Sequence, residues 1–280
     1  MLKLASLGSG SEGNSWLFVA ESASGQPDTC VMVDCGFAVK ETVLRLHRRG
    51  LTPEQVTGIV VTHEHDDHIG GVFKFSRKFG TPVYLTHGTW RAALRSKLST
   101  ADYMDTGLVR LIDTGATFPL GTLQIHPFPV PHDAAEPVQL LLQHGGVQAA
   151  ILTDCGSSTP HLVGMLNQAD VLVLESNHCP QRLQRSAYPE SLKRRVGGDY
   201  GHLSNEVACE ILTKLDSGRL KHVIAAHLSK NTNCPDLVHS MWAQALNGRS
   251  VTFQIACQEE GVNWVACNQA GSAAQGLQAA

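Results

Sequence analysis

The chain has 280 residues, 42% of them hydrophobic and 17% charged, with 26 glycines, a profile that excludes fibrous and largely disordered classes. Its formal charge of -3 is too small to say much about partners; it counts weakly against non-specific nucleic-acid binding and leaves room for a local basic face. The length permits a sizeable core, and one compact domain is expected over 1–268, with a flexible Ala/Gly/Gln tail at 269–280.

In chain order, the first apolar run, Leu2 to Leu7, is broken by Gly8, Ser9 and Gly10 too soon for a signal peptide or membrane span. A cytoplasmic chain without membrane contact is therefore expected. Strand-like runs follow at Cys30 to Val33, Ile59 to Thr62, Val83 to Thr86, Leu123 to Phe128, Ala149 to Thr153, Val171 to Glu175 and Val223 to His227. Between them, helices are expected over Val39 to Arg49, Ile69 to Phe79, Thr89 to Lys97, Asn205 to Leu215 and Asp236 to Leu246. Ser204 suits the N-cap of the fourth and Pro235 the first turn of the fifth. The alternation argues for a layered α/β architecture with helices outside. Asp34-Cys35-Gly36 and Asp154-Cys155-Gly156 echo each other at the ends of apolar strands, which suggests two related halves. The eight cysteines include no CxxC pair and are expected to be mostly buried thiols, with Cys35 and Cys155 as packing residues.

The strongest chemical signal is the segment Thr62 to His68, where His63, His65, Asp67 and His68 follow an apolar strand and precede a helix. Such a loop can turn His63 and His65 toward one ion while Asp67 and His68 reach a second. Imidazole and carboxylate without thiolate suit zinc, manganese or iron, and the spacing does not choose among them.

The HxHxDH pattern resembles the signature of the metallo-β-lactamase fold superfamily, and His132, Asp154 and His227 follow in that family's order at the ends of apolar strands. The resemblance implies a four-layer αββα sandwich and a cofactor of two divalent metal ions, Zn2+ or Mn2+. It assigns His63, His65 and His132 to the first metal, Asp67, His68 and His227 to the second, and Asp154 to the bridge. It gives Asp34 a supporting role beneath the metals. The implied chemistry is hydrolysis by metal-bound hydroxide, with Asp67, Asp154 and His202 as the catalytic set.

Further segments, Leu7 to Ser15, Glu175 to His178, Tyr188 to Gly197 and Gly201 to Asn205, resemble the YycJ (WalJ) subfamily, regarded as 5'-to-3' exonucleases on double-stranded DNA. Cys179 stands where those relatives tend to have Asp, and the stretch from Asp154 to His227 is too short to contain a β-CASP domain. The resemblance implies a phosphodiesterase whose partner is DNA. Ser11, Asn14, His178, His202 and Arg194 are the substrate-binding candidates. The Ser9 to Ser15 loop either offers N-H groups and hydroxyls to a phosphate or forms a tight hairpin turn. The cationic run of Arg182, Arg185, Lys193, Arg194 and Arg195 is either a phosphate grip or a solvated helix face. His202 and His178 are candidates to donate a proton to the leaving oxygen or bind the phosphoryl group. Two other readings share the metal site: a thioester or lactone hydrolase, and a metal-dependent DNA-binding module without catalysis.

Overall fold

Most strands of this chain are buried on both faces, which requires each sheet to be covered twice. The computed structural model describes residues 1–22, 25, 27–96, 103, 106–216 and 218–268 and meets that requirement with two seven-stranded sheets packed face to face. The first contains β1 (Leu2–Gly8), β2 (Ser15–Glu21), β3 (Pro27–Val33), β4 (Gly58–Val60), β5 (Val83–Thr86) and β6 (Val109–Ile112). The second contains β7 (Phe118–Leu120), β8 (Leu123–Pro129), β9 (Val138–His144), β10 (Val147–Leu152), β11 (Val171–Glu175), β12 (His222–Ala226) and β13 (Thr252–Ile255). The last strand, β14 (Val262–Ala266), returns to pair with β1 of the first sheet. Each sheet begins with antiparallel hairpins and ends in a parallel run, β3 to β6 in the first and β10 to β13 in the second.

The helices are α1 (Val39–Arg48), α2 (Asp66–Ile69), α3 (Val72–Phe79), α4 (His87–Arg95), α5 (Pro160–Leu166), α6 (Pro180–Arg185), α7 (Glu190–Val196), α8 (Asn205–Lys214) and α9 (Pro235–Ala245). Three apolar clusters set the layers. Between the sheets, Phe18, Val31 and Val60 meet Ile125, Leu140 and Val173. Outside the first sheet, Leu17, Met32 and Ile59 pack with Leu46, Phe75 and Ala93 of α1, α3 and α4. Outside the second, Leu172 and Val223 pack with Leu162, Ile211 and Trp242 of α5, α8 and α9. The result is the expected αββα sandwich.

Ser204 caps α8 by accepting the Val207 N-H, and Pro235 opens α9. The helix expected over Ile69 to Phe79 is instead two, α2 and α3, broken at Gly70 and Gly71. A Cβ on Gly71 would lie 2.0 Å from the Phe37 carbonyl oxygen, so the chain bends where it presses on the β3–α1 turn. The expected tail at 269–280, and Lys97 at the end of the expected Thr89 to Lys97 helix, lie outside the described residues.

Parallel strands deliver their following loops to one edge of each sheet, the place where open α/β sheets build sites. Gly36 shows how tightly these loops meet. Its missing Cβ would stand 1.8 Å from the Asp67 carbonyl oxygen, while Cys35 N-H donates to the His68 carbonyl at 2.8 Å. Gly36→Ala is expected to lower stability by about 1–3 kcal/mol through overpacking and to displace Asp67. Urea unfolding with an unchanged midpoint would contradict this close approach.

Candidate metal centre

Five strand ends converge. Asp34 follows β3, Thr62 and His63 follow β4, Asp154 follows β10, Glu175 ends β11, and His227 follows β12. Asp34 and His227 have φ of 60° and 56°, the left-handed region that non-glycine residues rarely occupy. Such strain persists only where surroundings hold it. At His227 the Ser9 hydroxyl accepts its N-H at 2.9 Å, and Asn177 Nδ2 donates to its carbonyl at 2.9 Å. The Gly/Ser-rich loop thus forms the connection between β1 and β2 and turns Ser9 inward.

The hydrogen bonds around the imidazoles fix their tautomers. Thr62 Oγ1 donates to Asp34 Oδ2 at 2.8 Å, so it accepts from His63 Nδ1 at 2.9 Å. His68 Nδ1 donates to Asp34 Oδ2 at 2.8 Å, His132 Nδ1 to the Gly201 carbonyl at 3.0 Å, and His227 Nδ1 to Glu175 Oε1 at 3.0 Å. Each of these rings therefore turns its Nε2 to the centre, where a metal would take the place of any proton on it, the arrangement that outer carboxylates and carbonyls impose on metal-binding histidines.

Those ring nitrogens meet in two groups. His65 Nδ1 lies 3.0 Å from His63 Nε2 and 3.2 Å from His132 Nε2. Tetrahedral Zn–N bonds of about 2.0–2.1 Å place nitrogens about 3.3 Å apart, so this triad has the dimensions of a metal shell. The second group comprises Asp67, His68 and His227, with Asp67 Oδ2 3.4 Å from His68 Nε2 and 3.3 Å from His227 Nε2. Asp154 stands between the groups, its Oδ2 2.8 Å from His68 Nε2 and its Oδ1 3.8 Å from His132 Nε2. Its Oδ2 is buried without a well-aligned hydrogen-bond partner among ring nitrogens that turn inward. A cation on each side satisfies all of these groups, so the residues fit a dinuclear site.

Burial alone would raise the Asp154 carboxyl, but His227 and His68 beside it hold it well below the usual carboxylate range. Burial would likewise raise Asp67, and the same two histidines lower it. Both carboxyls are thus ionised at neutral pH. By contrast, burial pushes the Cys35 and Cys155 thiols up to about 12, while Cys257 is exposed. Since the thiolate is the nucleophile, Ellman's reagent at pH 8 is expected to modify Cys257 and spare Cys35 and Cys155 until the chain unfolds. Early reaction at either buried thiol would show that it is not a packing residue.

A cavity of about 370 Å³ opens over the cluster. Ser11 and His202 line it, together with His65, Asp67, Asp154 and His227. His202 Nδ1 is 2.8 Å from Glu175 Oε1 and 3.2 Å from Asp154 Oδ1. Three other sequence candidates are placed elsewhere. Asn14 is fully buried beneath the ligands, its Nδ2 3.2 Å from both Asp67 Oδ2 and His68 Nε2. His178 is buried outside the lining with an unpartnered Nδ1, and burial lowers its pKa to about 4. Arg194 is exposed outside the lining, whereas its neighbour Arg195 enters the cavity wall.

Glu175 and Asp133 are the residues the sequence reading left without a role. Glu175 is fully buried; its Oε1 serves His202 and His227, and its Oε2 accepts the N-H groups of Cys155 and Leu203 at 3.0 Å each. The available signal was a carboxylate closing the otherwise apolar run Val171 to Glu175. Asp133 lies in the cavity wall, 3.8 Å from His65 Nε2, and accepts from Arg195 Nε.

The family model for the beta-lactamase superfamily domain matches residues 29–227. The exodeoxyribonuclease WalJ of Streptococcus pneumoniae serotype 2 (strain D39 / NCTC 7466) is 33% identical over 257 residues, 90% of this chain and 93% of that protein. The exodeoxyribonuclease YycJ of Bacillus anthracis is 34% identical over 247 residues, 88% of this chain and 89% of that protein. Among solved structures, Zn(2+)-bound PqqB of Methylobacterium extorquens shares the fold with a TM-score of 0.70 at 16% identity, over 94% of this chain and 99% of that one.

Proposed function

We propose a function from one premise: this chain belongs to the beta-lactamase superfamily, alongside the exodeoxyribonucleases WalJ and YycJ. It is a metal-dependent hydrolase, and its reaction is cleavage of phosphodiester bonds in DNA, proceeding 5' to 3'. The observation that carries this reading is the pair of His/Asp triads joined by Asp154 on the floor of an open cavity. Zinc or manganese suits the imidazole and carboxylate donors. When bound, the two cations would neutralise phosphoryl charge and lower the pKa of a water toward neutrality.

The chain's own residues do the rest. Asp34 and Glu175 orient His68 and His227. Asp67 and Asp154 would supply the negative charge that holds the cations. With its Nδ1 committed to Glu175, His202 presents Nε2 as the group that hands a proton to the leaving oxygen. Residues 1–268 act as one catalytic domain in this account. No helix among the described residues is long and apolar enough to cross a membrane, and a cytoplasmic location follows from the DNA substrate we propose.

Purified protein loaded with manganese or zinc is expected to shorten 5'- and 3'-labelled duplex DNA, releasing the 5' label first. Intact DNA and RNA with either metal would overturn the reading. Turnover of a thioester or lactone in their place would favour the small-molecule alternative.

A further inference from the structure

The cavity over the metal centre carries a marked asymmetry of charge. Asp66, Asp67, Asp133 and Asp154 all line it, and among its described lining residues Arg195 is the one Lys or Arg. Arg195 belongs to α7, a helix with no buried residue of its own. What fixes this side chain is Asp133, which accepts from Arg195 Nε and sits directly after the metal-binding candidate His132. Asp133 is itself braced, because its N-H donates to the Tyr200 carbonyl at 2.9 Å and the Glu64 carboxylate accepts the Ala135 N-H at 2.8 Å. The tether engages Nε alone, and the two amino groups of the guanidinium have no partner among the described residues.

We propose that Arg195, oriented by Asp133, binds the phosphate next to the scissile one, so that the site grips two consecutive phosphates of a single strand. The inference rests on the phosphodiesterase reading above and adds a substrate requirement to it. Position argues for the neighbouring phosphate. The Asp133 carboxylate intervenes between the guanidinium and the first triad, with Oδ2 on Arg195 and Oδ1 3.8 Å from His65 Nε2 and 3.7 Å from His132 Nε2. A phosphate held between the triads is thus one carboxylate away from Arg195, while the next phosphate along a strand is within its reach. The planar fork of a guanidinium suits two phosphate oxygens, and a tether through Nε leaves both amino groups available to them. The rest of the cationic run is differently disposed. Lys193 is taken up by Glu190 at 3.0 Å and the Gln184 carbonyl at 2.8 Å, and Arg182, Arg185 and Arg194 are exposed outside the cavity lining.

The test uses metal-loaded full-length protein and a fluorescein-labelled single-stranded DNA with phosphorothioate linkages that resist cutting. Arg195→Gln is expected to weaken binding about 10-fold or more, as loss of a charge-assisted contact does. It should also reduce the slope of log K against log salt by about 0.7, the value for one phosphate contact on a single strand. Lys214→Gln on the outer helix α8 serves as the charge control and should change neither quantity. Asp133→Asn, which keeps the shape and an acceptor oxygen but removes the charge from the tether, should weaken binding by a smaller factor. Turnover supplies the second readout, comparing cleavable oligonucleotide with bis(p-nitrophenyl) phosphate, which carries a single phosphate. The Arg195→Gln loss in kcat/KM should be at least tenfold larger for the oligonucleotide. Equal losses on both substrates would place the guanidinium on the scissile phosphate and overturn the proposal. An unchanged salt slope would overturn it as well. If the wild-type protein cleaves neither substrate, the functional reading falls, and the binding slope alone still decides whether Arg195 meets a phosphate.

Discussion

Asp154→Asn is expected to lower nuclease turnover by about 10³-fold or more while leaving the fold intact. The side chain is the acid placed against both ligand groups, and its Oδ2 is buried without a hydrogen-bond partner. Asparagine fills the same volume but removes the charge that faces both cations. Bridging metals contribute several kcal/mol of transition-state stabilisation, which converts to a factor of that order. The backbone contact from Gln139 Nε2 to the Asp154 carbonyl at 3.4 Å does not involve the carboxylate, so the strand end should stay in place. Single-turnover rates on labelled DNA, measured beside circular dichroism of the same samples, check this. Turnover within tenfold of wild type would remove Asp154 from the centre of the account.

Glu175→Gln should have the second largest effect, although Glu175 is assigned to neither metal. Its two oxygens accept from His202 Nδ1, His227 Nδ1, Cys155 N-H and Leu203 N-H, and a carboxylate has lone pairs for all of them. A glutamine offers one acceptor oxygen and one donor group. Either the two backbone N-H groups or the two imidazoles then lose their partner, at a side chain with no exposed surface. If His227 Nδ1 loses its acceptor, its proton is free to move to Nε2, the atom that faces Asp67. Substitutions that unseat such orienting partners typically cost 10–100-fold in metal affinity or activity, and a buried unpaired group costs about 1–3 kcal/mol in stability. Chelator competition with manganese or zinc, together with urea unfolding of the metal-free protein, measures both quantities. Wild-type metal affinity in the variant would mean that Glu175 has a packing role alone.

The architecture was legible where strands carry β-branched runs or end in marked residues. Val83–Thr86 and Val171–Glu175 have the same bounds in sequence and structure. Strands β2 and β9 went unread because Trp16 to Ala20 and Leu140 to Leu142 are buried on both faces and show no period of two. The short strands β6 and β7 lie at sheet edges and bury little, so their sequence carries little pattern. Helix α7 has no apolar stripe for the same reason.

At the site, the dense His/Asp segment from His63 to His68 stood out because its spacing is rare, and structure brings His132, Asp154 and His227 to it from separate strand ends. The outer layer was harder to see. Asn14 was read as substrate-facing because a Gly/Ser-rich loop resembles a phosphate cradle, yet the hairpin folds that side chain under Asp67 and His68. Arg194 and Arg195 are adjacent in a basic run, and only the rotation of α7 decides which one enters the cavity. A difference of one residue is about 100° around a helix, which composition does not encode.

Two cations should sit on these two groups of side chains with Asp154 between them. Anomalous diffraction from crystals of manganese- or zinc-loaded protein, recorded at the metal's absorption edge, tests this most directly. Two peaks are expected, one within bonding distance of His63, His65 and His132 and one within bonding distance of Asp67, His68 and His227, both touching Asp154. A fully loaded crystal with one peak, or with metal held by other residues, would contradict the account.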